Sequence, residues 1–233
     1  MKRINSLAIL LFFGLSIFAQ AVKDRNVIPV AVNLNQVLRM TITNGGNIEF
    51  VFNSIDDYKK GLSSQTVSGA QNAAIATQGM YKTDFSVASS TRWSLTYGAE
   101  QAFFVGTDHA AAKFDLTNVG YSITNNNLLG NQFEGVGLKN VTATKALLSI
   151  PTANATEVAA LEAYPVVLIE DNNVDKANAG DAEDNSFTLN WRCGTAEAGA
   201  IVPMNPIKLI DQNPSPVADR YVVNVLFDLA AVN

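Results

Sequence analysis

Residues 83–97 read TDFSVASSTRWSLTY. Apolar residues fall on every second position on both sides of Ser89-Ser90-Thr91: Phe85 and Val87 before it, Trp93, Leu95 and Tyr97 after it. Successive side chains of a strand point to opposite faces, so this period predicts two strands, each turning one face to a core. β-Branched and aromatic runs bounded by turn residues carry the pattern towards the C-terminus. They predict strands at Ala102–Val105, Leu116–Thr124, Ala146–Ile150, Pro165–Glu170, Ser186–Arg192, Ile207–Ile210 and Arg220–Ala230.

Towards the N-terminus, Val27–Thr43 (VIPVAVNLNQVLRMTIT) reads as one long strand with Val30, Val32 and Leu34 on alternate positions. Asn44-Gly45-Gly46-Asn47 forms a turn, since Asn and Gly tolerate positive φ. Asn47–Phe52 (NIEFVF) is expected to return as its hairpin partner. Two short helices are predicted. In Ser54–Gly61 a Ser caps, acids come early, bases late and Gly ends the turn; Asn154–Ala163 has an Asn cap before Ala and Glu. Residues 63–80 are small and polar, a long loop or weak edge strand. Many short strands and little helix predict an all-β fold, an antiparallel immunoglobulin-like β-sandwich with long loops.

Composition agrees. The chain has 233 residues, only 16% of them charged, and 24 are Asn. Residues 1–21 are read as a signal peptide. Lys2 and Arg3 precede the 12-residue apolar run Leu7–Phe18, and Ala19-Gln20-Ala21 supplies a small-x-small cleavage site. Crossing a bilayer as a helix takes about 20 apolar residues, and no second such run follows. The expectation is export of residues 22–233 as a single domain, to the extracellular space, the outer cell surface or the periplasm, with no membrane insertion after cleavage.

The remaining chain carries 14 basic against 21 acidic side chains. This balance argues against nucleic acid and anionic membrane as partners, because both reward clustered Lys and Arg. Cys193 is the only cysteine and excludes an intrachain disulfide. It is expected to be buried and inert.

Several patterns have a familiar grouping: Asn47–Tyr58 (NIEFVFNSIDDY), Asp84–Val87 followed by Arg92–Leu95, Phe187–Arg192 (FTLNWR) and Arg220–Val225 (RYVVNV). Together they resemble exported immunoglobulin-like β-sandwich proteins of Bacteroidota, some of which resemble surface-fibre or pilin-like subunits. The resemblance implies an extracellular sandwich and carries over no catalytic residue.

Nothing in the chain spells out catalysis, and it is not expected to be an enzyme. Ser-His-Asp and Cys-His arrangements need a histidine, and His109 is the only one. One His and one Cys cannot build a tetrahedral zinc site within one chain. Trp93 and Trp191 lie inside alternating strands and are expected in the core rather than on a sugar platform. The acidic run Glu170–Asn185 spaces Asp171, Asn173 and Asp175 as short calcium loops do, and Asp181, Glu183 and Asp184 could close the shell. Lys176 and Ala182 stand where an EF-hand has Gly and Glu, so a solvated acidic loop is the competing reading. Calcium is the one cofactor that this chain suggests.

The two ends form the remaining constellation. Val30, Val32 and Leu34 share one face of the first strand, and Tyr221, Val223, Val225, Phe227 and Leu229 share one face of the last. A terminal strand can complete a neighbour's sheet, main-chain pairing giving affinity and alternate pockets giving register. The expectation is a structural subunit of a cell-surface or extracellular fibre or pilus-like assembly. It would polymerise with itself, or with other surface subunits, through residues 27–43 or 220–230. The alternative is an extracellular carbohydrate-binding or adhesin module, stabilised by calcium.

Overall fold

The computed structural model describes residues 28–64, 80–126, 158–170, 178–197 and 202–232. The chain divides into two units, Met1–Asn35 and Gln36–Asn233. The described part of the first, residues 28–35, has neither helix nor strand.

In the second unit the elements run β1 (Leu38–Asn44), α1 (Ile55–Lys60), β2 (Leu62–Ser63), β3 (Lys82–Ser89), β4 (Trp93–Ala99), β5 (Phe103–Gly106) and β6 (Lys113–Asp115). There follow β7 (Val119–Asn125), β8 (Ala159–Ala160), β9 (Val166–Glu170), β10 (Ser186–Cys193), β11 (Tyr221–Val222) and β12 (Val225–Ala231). The largest sheet has the order β1-β3-β10-β7-β8, with β2 also on β10. A second sheet is β12-β4-β9 and a third, small one β11-β5-β6. Every ladder between named strands is antiparallel.

The alternation in residues 83–97 has the expected meaning. β3 buries Thr83, Phe85, Val87 and Ser89 in strict alternation, and β4 buries Trp93, Leu95 and Tyr97. The two strands belong to different sheets, however, so their buried faces meet across the core. Aromatic rings join the layers: Phe85 to Phe227 at 6.2 Å, Trp93 to Phe187 at 6.1 Å edge-on, and Tyr97 to Tyr121 at 5.0 Å edge-on. Face-to-face sheets with interdigitated apolar side chains are a β-sandwich, and the fold is all-β. Both tryptophans are in this core, and so is Cys193, whose thiol burial pushes well above its usual pKa.

Asn178, fully buried, fastens β4. Its side-chain oxygen accepts from the Trp93 N–H at 2.9 Å and its amide donates to the Trp93 carbonyl at 2.8 Å. The Trp93 indole in turn donates to the Asn178 carbonyl at 2.7 Å. Arg192 and Glu197, also buried, pair through two hydrogen bonds of 2.9 and 3.1 Å, as a charge in an apolar interior requires.

Helix α1 forms as read, with Ser54 and Asp57 in a reciprocal capping box and Gly61 at φ 74° after the last turn. Five expectations are corrected. The long strand 27–43 is a strand only from Leu38, because residues 28–35 have no ladder partner among the described residues. The hairpin does not form: β1 pairs β3, and residues 47–52 make no main-chain hydrogen bond to a strand among the described residues. The described end of the 154–163 helix is instead β8, since Ala160 donates to Val202 and Leu161 to Val119. Ile207–Ile210 is no strand. The Asn205 side chain accepts from the Ile207 N–H, and Leu209–Asp211 closes as a 3-10 turn. The final run is divided into β11 and β12, which join different sheets. The 146–150 strand and the start of the 154–163 helix lie outside the described residues.

Candidate functional site

The two terminal strands proposed for assembly differ in kind. Ile28, Val30, Val32 and Leu34 are 83, 84, 75 and 92% exposed, in a segment with no secondary structure. Exposed apolar side chains at alternate positions on uncharged, unpaired chain are what a sheet edge recruits. Pro29 lacks an N–H, but it lies among the odd-numbered residues. The edge offered by residues 28, 30, 32 and 34 therefore keeps its donors.

β12 already serves its own sandwich. It pairs with β4 over seven residues, from Val225 opposite Ala99 to Ala231 opposite Trp93. Val223, Val225, Phe227 and Leu229 are half-buried against the core, and Tyr221 packs on Phe114 at 5.4 Å in the small sheet. β12 is nevertheless the last strand of its sheet, and its second edge has no ladder partner among the described residues. β1 ends the large sheet in the same way, and Cα atoms of β1 and β12 come within 8 Å. The sandwich thus has a seam between its first and last strands.

A strap, residues 47–53, lines one cavity with Ile42 of β1 and Val225 and Phe227 of β12. Ile48, Phe50 and Phe52 alternate with exposed residues and pack against the core, Phe50 stacking on Tyr81 at 4.6 Å. Both ends of the strap are fixed. Gly45 (φ 67°) lies so close to β3 that a Cβ would sit 1.7 Å from the Lys82 carbonyl oxygen, and the Thr83 hydroxyl donates to the Gly45 carbonyl. At the other end Asp57 accepts from the Asn53 and Ser54 N–H groups. The middle is held by packing and by one exposed ion pair, Glu49 to Arg220 at 3.2 Å, which water screens to roughly 0–1 kcal/mol.

A cavity of about 630 Å³ lies here. Its lining includes Ile48, Phe50 and Phe52 of the strap, Trp191 and Cys193 of β10, Phe104 and Phe114 of the small sheet, and Val225 and Phe227 of β12. The 216–222 segment along it is pinned by Asp219, whose side chain is screened from solvent. That carboxylate accepts from the N–H groups of Asp108 at 3.0 Å, His109 at 3.0 Å and Arg220 at 2.7 Å. Desolvation raises its pKa. The three N–H donors and the His109 ring 3.6 Å away outweigh that and leave it below the ordinary 3.8.

Asp171, Asn173 and Asp175 lie outside the described residues. Asp181 caps a turn, its Oδ1 accepting from Glu183 N–H at 2.8 Å and Asp184 N–H at 3.0 Å. Among the described residues no group of three or more His, Cys, Asp and Glu stands close enough to hold a metal. His109 is an exposed loop residue. The sequence marks Asn47–Phe52 as a strand through the alternation of Ile48, Phe50 and Phe52, but neither its packing as a strap nor the cavity is legible there. Comparison with protein-family models gives no match, and comparison with curated proteins gives none either.

Proposed function

We propose that this chain is an exported structural subunit of a cell-surface or extracellular fibre. It polymerises by strand complementation, Ile28–Leu34 of one copy adding to the immunoglobulin-like sandwich of the next. The observation that carries this reading is the exposure of four apolar side chains at alternate positions of one segment, together with a sandwich whose first and last strands each have an edge with no ladder partner among the described residues. Of the two strands considered, β12 is committed to its own core, which leaves the N-terminal one as the donor.

Magnitudes make the association sensitive. Burying four such side chains contributes about 6–12 kcal/mol in total, while ordering seven backbone residues costs about 7–14 kcal/mol. Ladder hydrogen bonds, each net about 0.5–1.5 kcal/mol, then decide the balance. A carboxylate placed in the buried face should abolish assembly.

The test compares the full chain with a Val30→Asp/Val32→Asp variant by sedimentation and electron microscopy. The expected result is loss of filaments with an unchanged melting temperature, since both side chains are exposed within the single chain. Filaments of normal length from the variant would overturn the proposal.

A further inference from the structure

We infer that the strap Asn47–Asn53 is a resident placeholder in the groove that receives the donated strand, and that Ile28–Leu34 of a second copy displaces it. This rests on the complementation reading and adds how the acceptor is kept closed before assembly.

The strap imitates a strand without becoming one. Ile48, Phe50 and Phe52 point inwards at the two-residue spacing of a donated strand, yet no main-chain hydrogen bond joins residues 47–52 to β1 or β12 among the described residues. It covers apolar surface and forms no ladder with either sheet edge. The cavity of about 630 Å³ beside it is space that its three side chains do not fill. Ile28–Leu34 brings four apolar side chains on the same spacing and a backbone able to pair with β12, which is also seven residues long. Exchange therefore replaces packing alone with packing plus a ladder.

Charge and anchoring fit the same occupant. Residues 28–35 carry no charge. At the strap, Glu49 and Arg220 neutralise each other on an exposed rim, so an uncharged strand meets no unpaired charge there. The close approach of Gly45 to β3 and the capping box of α1 hold the two ends, so the middle can lift while the sandwich stays intact. A loop held only by packing at its centre is drawn from the least stable part of a fold.

The test uses the full chain at a concentration where it sediments as a monomer. The probe is a fluorescein-labelled peptide of residues 27–36 (VIPVAVNLNQ), with a Val32→Asp peptide as control. In a Glu49→Cys/Arg220→Cys variant the two thiols are bridged by a short, reducible bis-maleimide, and buried Cys193 does not compete for it. Bridging should lower peptide capture at least tenfold, and reductant should restore it, so the same molecule reports that its fold is intact. A Phe50→Ala chain, which loses the stack on Tyr81, should capture the peptide about tenfold faster. Equal capture by the bridged, reduced and Phe50→Ala forms would overturn the placeholder and leave complementation standing. Failure of every form to prefer the natural peptide over the Val32→Asp control would overturn complementation itself, and the placeholder with it.

Discussion

Asn178 shows how one side chain can stand in for a strand. It meets the Trp93 N–H and C=O with its own carboxamide, giving that residue of β4 a partner it would otherwise find in a ladder. Asn178→Ala strands both groups in a fully buried place, at about 1–3 kcal/mol each. The variant is therefore expected to lose about 2–5 kcal/mol of stability in urea unfolding. A loss below about 1 kcal/mol would mean that water or another group reaches them. At this scale the sequence was partly legible. Alternation placed Trp93 and Trp191 in the core, and a lone cysteine on a strand was rightly read as buried. Asn178 lay in an acidic run read for calcium, because a carboxamide that braces a strand 85 residues away in sequence has no local signature. The aromatic surroundings of the strap were hidden for the same reason: Tyr81 meets Phe50, and Phe104 and Phe114 come to line the same cavity, only through the fold.

Among the elements, legibility followed whether local chemistry alone decides the outcome. Helix α1 was readable to the residue, since its cap, its charges and its terminal glycine all lie within eight positions. The alternating strands β3, β4 and β10 were readable because a buried face leaves a period of two, and β9 because a short β-branched apolar run is bounded by turn signals. The hairpin after β1 was not. NGGN does turn the chain, but which strand then pairs with β1 is a competition that β3 wins through a ladder from Leu38 opposite Ser89 to Asn44 opposite Asp84. The Ala- and Glu-containing stretch before Ala163 favours helix locally, yet small residues also let β8 pack closely against Gly120, where a Cβ would lie 3.0 Å from the Ala159 carbonyl oxygen. The loop 216–222 makes an element-scale prediction. Asp219 titrates below its ordinary value because three N–H groups bind its charged form. Its contribution to stability is therefore complete above the unfolded-state pKa and is lost as pH falls through the lower, folded value. Melting temperatures measured from pH 7 down to pH 2 should converge for the wild type and Asp219→Asn at the acid end, with the wild type higher at neutral pH. Parallel curves would contradict this account of the loop.

At the scale of the whole molecule, the proposed assembly asks the fold for two halves of one interaction. One is an uncharged segment with four exposed apolar side chains, and the other is a sandwich whose first and last strands each have an edge with no ladder partner among the described residues. A monomer that keeps both exposed is open to uncontrolled edge pairing, and a fibre in which each copy covers the next resolves that liability in one step. Self-complementary surfaces of this heterologous kind generate open filaments unless the rotation closes into a ring. The alternation of residues 28–34 is legible in the sequence because it is local. Which sheet edges lack a partner is not, because an edge is defined by strand order. The measurement that tests this most directly is negative-stain electron microscopy of material sheared from producing cells, with the protein content of the pellet identified by mass spectrometry. The account predicts filaments in which this chain is the major component. Bare cell surfaces, with the chain monomeric in the soluble fraction, would contradict it.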